Sequence, residues 1–260
     1  MNRKSNIPNA LKPPTAQTVA QTIDSQEIQH FSQFSKEWWD IHGPYAPLHK
    51  MTRPRMEYLA QAWQKFGDER NFSGLKILDV GCGGGLVSES LARLKADVTA
   101  IDADSNAIAV AKDHAKSQYL EIDYRAVALE DLIEEKPQFD LILALEIVEH
   151  VSNPGDFIGL CSSCLAPGGL LVLSTLNRTW KSFALGIVAA ERVLSWAPAG
   201  THDWKKFLKP SELAHILMNK DFELLDASGL TYHPLEGAFK LAQNDLDVNY
   251  FLTSRKKFPL

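Results

Sequence analysis

Residues 77–86 read ILDVGCGGGL, with four glycines in five positions directly behind an apolar run. Glycine loses more backbone entropy on folding than any other residue, so such a cluster marks a turn that something must approach closely. The pattern predicts a strand ending near Val80, a tight turn over Gly81–Gly85 and a helix from Leu86. An acid, Asp79, stands just before the turn.

Working outward, apolar runs at Lys76–Val80, Asp97–Ile101, Glu121–Ala126, Phe139–Leu145 and Leu170–Ser174 read as strands. Helical patterns fall between them at Leu86–Leu94, Asn106–Ser117 and Asp156–Leu165. This alternation predicts an α/β fold, a doubly wound, mostly parallel sheet with helices on both faces. A helix is expected behind Pro210, and late strands at Phe222–Leu225 and Val248–Thr253 bring the sheet to seven. Ahead of the first strand, 25–72 reads as an aromatic-rich helical cap, and 1–24 as a disordered polar tail. Residues 157–177 carry no charge, but Ala166-Pro167-Gly168-Gly169 interrupts them, so two elements around a turn are expected rather than a membrane span.

The 260 residues carry a formal net charge of −5, which argues against a nucleic-acid partner. Three cysteines fit a reducing compartment. Cys161 and Cys164 form a C-x-x-C inside an apolar helix, with no second pair, and read as core.

Two cofactor classes compete for the glycine turn. A dinucleotide fingerprint would place its third glycine at Leu86, whereas Gly81, Gly83 and Gly85 match G-x-G-x-G. The Asp79 carboxylate would repel a pyrophosphate and favour the ammonium and sulfonium of S-adenosylmethionine. Asp102 ends the second strand, 21 residues after Gly81, where an acid commonly holds ribose hydroxyls. The charge logic selects the cationic cofactor.

These features resemble the class I S-adenosylmethionine-dependent methyltransferases over about 75–255. From about Phe34 onward the chain resembles the ubiquinone-biosynthesis O-methyltransferase family. The stretches WWDIHGPYAPLH (Trp38–His49), LDVGCGGG (Leu78–Gly85), ALEIVEHV (Ala144–Val151), STLNRT (Ser174–Thr179), GTHDWKKF (Gly200–Phe207) and DVNY (Asp247–Tyr250) carry that likeness. The resemblance implies a Rossmann-like domain over 73–260 and methyl transfer to phenolic oxygens of polyprenylated catechol-like substrates at two pathway steps. It implies cofactor contacts at Gly81, Asp102 and Leu145, and an arginine, Arg55, for the cofactor carboxylate. Thr52-Arg53-Pro54-Arg55 departs from the family's Asn-Pro-x-Arg, which leaves Arg53 as a rival. A cytoplasmic enzyme peripheral to the inner membrane (the mitochondrial matrix in a eukaryote) follows, with a biosynthetic complex as a candidate partner.

A phenol has a pKa near ~10, so a base or a metal ion must help remove its proton. Glu146, Glu149 and His150 are spaced i, i+3 and i+4, so one helical turn would gather them, either to hold Mg²⁺ or to tie loops together. His202 is a further candidate base. Trp38 and Trp39 are expected to pack under the cap. Outside the alternating core, 178–200 places Trp180, Phe183, Ile187, Ala190 and Leu194 on one helical face and Arg178, Lys181 and Arg192 opposite. That amphipathic insertion reads as an interfacial helix on an anionic membrane surface. Two readings from other classes stay open, a nicotinamide-dependent oxidoreductase and a non-catalytic cofactor-binding subunit, beside a methyltransferase of the same fold for another small molecule.

Overall fold

Buried apolar side chains alternate along the first strand: Ile77 joins one core cluster, while Leu78 and Val80 join another. A strand covered on both faces requires this, because successive side chains point to opposite sides. The computed structural model describes residues 32, 34–67, 71–185 and 203–258. Its strands are β1 (Lys76–Val80), β2 (Asp97–Ile101), β3 (Asp123–Arg125), β4 (Phe139–Leu145), β5 (Leu165–Leu176), β6 (Phe222–His233), β7 (Ala238–Ala242) and β8 (Asn249–Lys256). The main helices are α1 (Ala46–Phe66), α2 (Leu86–Arg93), α3 (Ser105–Ser117), α4 (Pro154–Cys164) and α5 (Pro210–Asn219). No helix among the described residues is long and apolar enough to cross a membrane.

The strands form one sheet in the order β3-β2-β1-β4-β5-β8-β6-β7. Strands β1 to β5 pair in parallel, while β8 runs antiparallel between β5 and β6, and β7 antiparallel to β6. The doubly wound class is as expected, but the strand count is eight rather than seven. The extra strand is β7, paired to a β6 that runs eight residues past its expected end. The Ala166–Gly169 turn is absorbed into β5 as a bulge: pairing jumps from Phe139↔Leu165 to Leu141↔Leu170, with Gly168 at φ +77°. Of the cap, the described residues show a 3-10 turn at Ser35–Glu37 and helix α1. The tail 1–24 lies outside the described residues.

Side-chain caps fix where helices begin. Asp104 accepts from Asn106 N at 2.9 Å ahead of α3. Asn153 Oδ1 accepts from Gly155 N at 2.9 Å ahead of α4, where Pro154 fills the first position. Cys161 and Cys164 are fully buried in α4, free, and part of the apolar core, as expected.

Gly229 lets the chain fold tightly over β6: a Cβ there would sit 1.7 Å from the Asp245 carbonyl oxygen. Gly237 has nothing within 4 Å of its would-be Cβ, but its φ is +64°. Gly229→Ala is therefore expected to lower the thermal midpoint by roughly 5–10 °C through overpacking. Gly237→Ala should cost only the backbone term, about 1–2 kcal/mol. Equal midpoints for the two variants in a calorimetric scan would contradict this packing.

Candidate active site at the carboxyl edge of the sheet

The glycine turn follows β1, Asp102 follows β2, Glu146 follows β4, and Ser174 and Thr175 end β5. All lie at the carboxyl ends of parallel strands, where open α/β sheets bind ligands. Antiparallel β8 delivers its first residue, Asn249, to the same edge, opposite Leu176.

The glycine turn is held on both sides. Gly81 N and Cys82 N donate to Ile101 O at 2.9 and 3.1 Å. Gly83 N donates to Asp102 Oδ2 at 2.8 Å, and Asp104 N to Asp102 Oδ1 at 2.8 Å. Burial raises the Asp102 pKa, and these N–H bonds oppose the rise. Asp79 is buried, accepts from Ser88 Oγ at 2.6 Å, and is pushed up to about 6 by burial against the pull of Ser88 and Arg55. Asp79 therefore ties the turn to α2 while keeping a negative charge beside it at neutral pH.

The chain's own side chains approach the glycines. A Cβ on Gly83 would meet the Trp38 indole at 2.3 Å, one on Gly84 at 2.5 Å, and one on Gly85 the Tyr124 hydroxyl at 2.1 Å. Trp38 stacks on Tyr45 with centroids 3.8 Å apart, and Trp39 Nε1 donates to Gly84 O at 3.1 Å. The tryptophan pair thus lies between the cap segment and the glycine turn.

Arg53 and Arg55 are separated by helix phase: Arg53 is exposed, and Arg55 is buried with its guanidinium 3.6 Å from Glu146 Oε1. Its Nε and Nη2 have no hydrogen-bond partner. Burial lowers its pKa, opposed by Glu146, Asp79 and Glu149. A buried guanidinium with unused donors suits a ligand carboxylate. Leu145, at the end of β4, packs in the core cluster beneath.

Glu146 sits at φ +56°, a left-handed conformation costing about 1–2 kcal/mol in a non-glycine residue. Three groups hold it: Ser174 Oγ donates to Oε1 at 2.5 Å, Asn249 Nδ2 donates to Oε2 at 2.8 Å, and Glu146 N donates to Ser174 O at 2.9 Å. The segment that follows is a turn rather than a helix. The expectation that Glu146, Glu149 and His150 gather on one helical side is therefore corrected. Both Glu146 oxygens are engaged, and among the described residues no group of three acidic, histidine or cysteine side chains could hold an ion. Glu149 differs from Glu146. It is 4% exposed, and neither of its carboxylate oxygens has a hydrogen-bond partner. Burial and then Glu146 push its pKa up to about 7, opposed by His150. Thr175 adds a small opposing pull, although the pair does not meet hydrogen-bond geometry. His202 lies outside the described residues.

Sequence reasoning did not single out Ser174, Thr175 and Asn249, which surround the two glutamates. They are uncharged polar residues in strands, where burial cannot be read from composition. The basic face expected for 178–200 also changes. Lys181 pairs with Asp245 and Asp247 at 3.0 and 3.1 Å, and Arg178 pairs with Glu212. Trp180 is 77% exposed and stacks on Trp204. Residues 186–202, including Arg192, lie outside the described set.

A methyltransferase-domain family model matches residues 49–227. The chain is 45% identical over 246 residues to the ubiquinone biosynthesis O-methyltransferase of Bradyrhizobium sp., covering 92% of this chain and 96% of that one. It is 46% identical over 240 residues to the protein of the same name from Bartonella bacilliformis, covering 90% and 96%. Among solved structures, magnesium protoporphyrin IX methyltransferase from Synechocystis with bound SAH superposes with a TM-score of 0.61 at 16% identity, covering 89% of this chain and 100% of that one. A plantazolicin methyltransferase in complex with SAH gives 0.61 at 16%, covering 89% and 98%.

Glu149 binds its proton more tightly in the folded chain than an ordinary glutamate, which titrates at 4.5. Its contribution to stability is therefore full below about 4.5 and is lost as pH rises through about 7. Glu149→Gln, which mimics the protonated form, is expected to match the wild type near pH 4.5. At pH 8 it should be more stable by a few kcal/mol, at ~1.4 kcal/mol per pKa unit. A stability difference that does not change with pH, measured by denaturant melts, would remove the buried-acid assignment.

Proposed function

This chain belongs to the ubiquinone biosynthesis O-methyltransferases, and we propose that it methylates phenolic oxygens of polyprenylated catechol-like substrates at two steps of that pathway. It is an S-adenosylmethionine-dependent enzyme. When bound, the cofactor supplies a methyl group on a positively charged sulfur. Arg55 would take its carboxylate, Asp102 its ribose hydroxyls, and Asp79 would set a favourable field for its ammonium and sulfonium. The glycine turn and Leu145 would lie along it.

One observation carries the chemistry: a buried glutamate, Glu149, with neither oxygen hydrogen-bonded and a pKa pushed up to about 7. A base poised near the working pH combines an ionised population with real proton affinity. Glu149 would take the proton of the phenolic oxygen that is to accept the methyl group supplied by the bound cofactor. Glu146, locked by Ser174 and Asn249, holds Arg55 in place and keeps Glu149 basic through like charge.

The membrane-facing surface is proposed around Trp180 and Phe183, exposed aromatics at the start of the insertion, with half-buried Trp204 stacked on Trp180. A polyprenyl tail keeps the substrate in the bilayer, which gives such a surface a use. A complex with other biosynthetic enzymes would bring the substrate by the same route.

Methyl transfer from labelled S-adenosylmethionine to a short-chain catechol precursor and to a demethylated quinol tests this reading. Both rings should be methylated. Glu149→Gln should lose roughly 10²–10⁴-fold in kcat while its affinity for S-adenosylhomocysteine stays unchanged. Activity lost in excess EDTA and restored by Mg²⁺ would replace the glutamate base with a metal. On anionic liposomes at low salt, the wild type should float, and Trp180→Ala/Phe183→Ala should not. Equal flotation of both would move the membrane surface elsewhere.

A further inference from the structure

At this edge β5 and β8 each keep a buried polar atom without a partner, on opposite faces of the sheet. Thr175 is fully buried with Oγ1 unsatisfied, and Asn249 is 5% exposed with Oδ1 unsatisfied. A buried carbonyl lacking a hydrogen bond costs free energy, so one kept at the ligand-binding edge of the sheet calls for a partner. The Asn249 amide cannot be turned to relieve this. Its Nδ2 donates to Glu146 Oε2, and a flip would place its carbonyl against the carboxylate. Glu146 therefore fixes Asn249 with its acceptor directed away from the carboxylate.

The topology identifies which ligand that acceptor faces. The glycine turn, Asp102 and Leu145 lie at the ends of β1, β2 and β4, whereas Asn249 begins β8, two strands beyond β4. Two strand spacings are about 10 Å. The adenosine and amino-acid ends of the cofactor are served from β1, β2, β4 and α1, which leaves the β5–β8 side to the methyl acceptor. A catechol presents two adjacent hydroxyls there. One loses its proton to Glu149, and the other is a donor that needs an acceptor.

Resting on the catechol reading above, the geometry points to Asn249 as a specificity-determining residue: its Oδ1 accepts the hydroxyl that is not being methylated. A site built to hydrogen-bond a substrate hydroxyl rejects the analogue lacking it, because the buried acceptor is then left unpaired. The same contact orients the ring, so the reactive oxygen and not its neighbour meets the methyl group.

The test compares a catechol with the phenol that lacks its second hydroxyl, in the wild type, Asn249→Ala and Asn249→Leu. The Leu variant fills the volume of the amide without its polar atoms and guards against a folding artefact. Wild type should prefer the catechol in kcat/KM, and both variants should lose about five- to ten-fold of that preference. Any loss of S-adenosylhomocysteine affinity by calorimetry, carried from Asn249 through Glu146 to Arg55, should be equal in the two variants and independent of the ring. A role limited to holding Glu146 would slow both rings equally and leave the ratio intact, which overturns the inference. Weakened S-adenosylhomocysteine binding with an intact ratio overturns it too and moves Asn249 to the cofactor. A wild type that methylates neither ring sinks the catechol reading, and this inference with it.

Discussion

The turn between β1 and α2 works because its backbone is bare. Three aromatic contacts converge there: the Trp38 indole on Gly83 and Gly84, the Trp39 N–H on Gly84 O, and the Tyr124 hydroxyl against Gly85. No β-carbon fits under any of them. The turn therefore joins the segment ahead of α1, the edge strand β3 and the first strand–helix unit into one piece. Trp39 extends the join by stacking on His114 of α3 at 3.4 Å, where His114 Nδ1 meets Glu89 Oε1 of α2 at 2.6 Å. A glycine motif usually read as room for a ligand is here first of all room for the protein, and the ligand's place is what those contacts leave open.

Most of the parallel half of the sheet was legible in the sequence because strands covered on both faces must be continuously apolar. Leu141–Leu145 shows this directly, and Ile77–Val80 is interrupted only by the buried Asp79. The antiparallel half was harder. Ala238–Ala242 is a short, half-exposed edge strand whose pattern does not separate it from a loop. Pro54 and Arg53 made the arginine assignment ambiguous, yet buried Met51, Arg55, Tyr58, Leu59 and Ala62 share one helical stripe that excludes Arg53. The spacing of Glu146, Glu149 and His150 misled for a different reason. A periodicity of three and four implies one face only if the backbone is helical, and a left-handed residue at position 146 ends that premise.

The edge of the sheet carries a cluster that a stability-minded design would avoid. Arg55, Asp79, Glu146 and Glu149 are ionisable groups within one another's fields, and all but Glu146 are buried below a tenth exposure. Pairing Arg55 with Glu146 offsets part of the desolvation, while Glu149 is left facing a like charge. Local rules are broken together at one place, and the surrounding core of leucines and isoleucines supplies the stability that tolerates it.

Strand β8 is made after β5 and β6, yet it lies between them. Until its residues leave the ribosome, the nascent sheet has two open edges facing a gap, each a template for pairing with another chain. The β1–β5 half, with the glycine turn and Asp102, can close earlier, because its contacts come from residues already made. Asn249 arrives with the final strand. During synthesis the parallel half can therefore pair while the two edges that flank β8 still stand open.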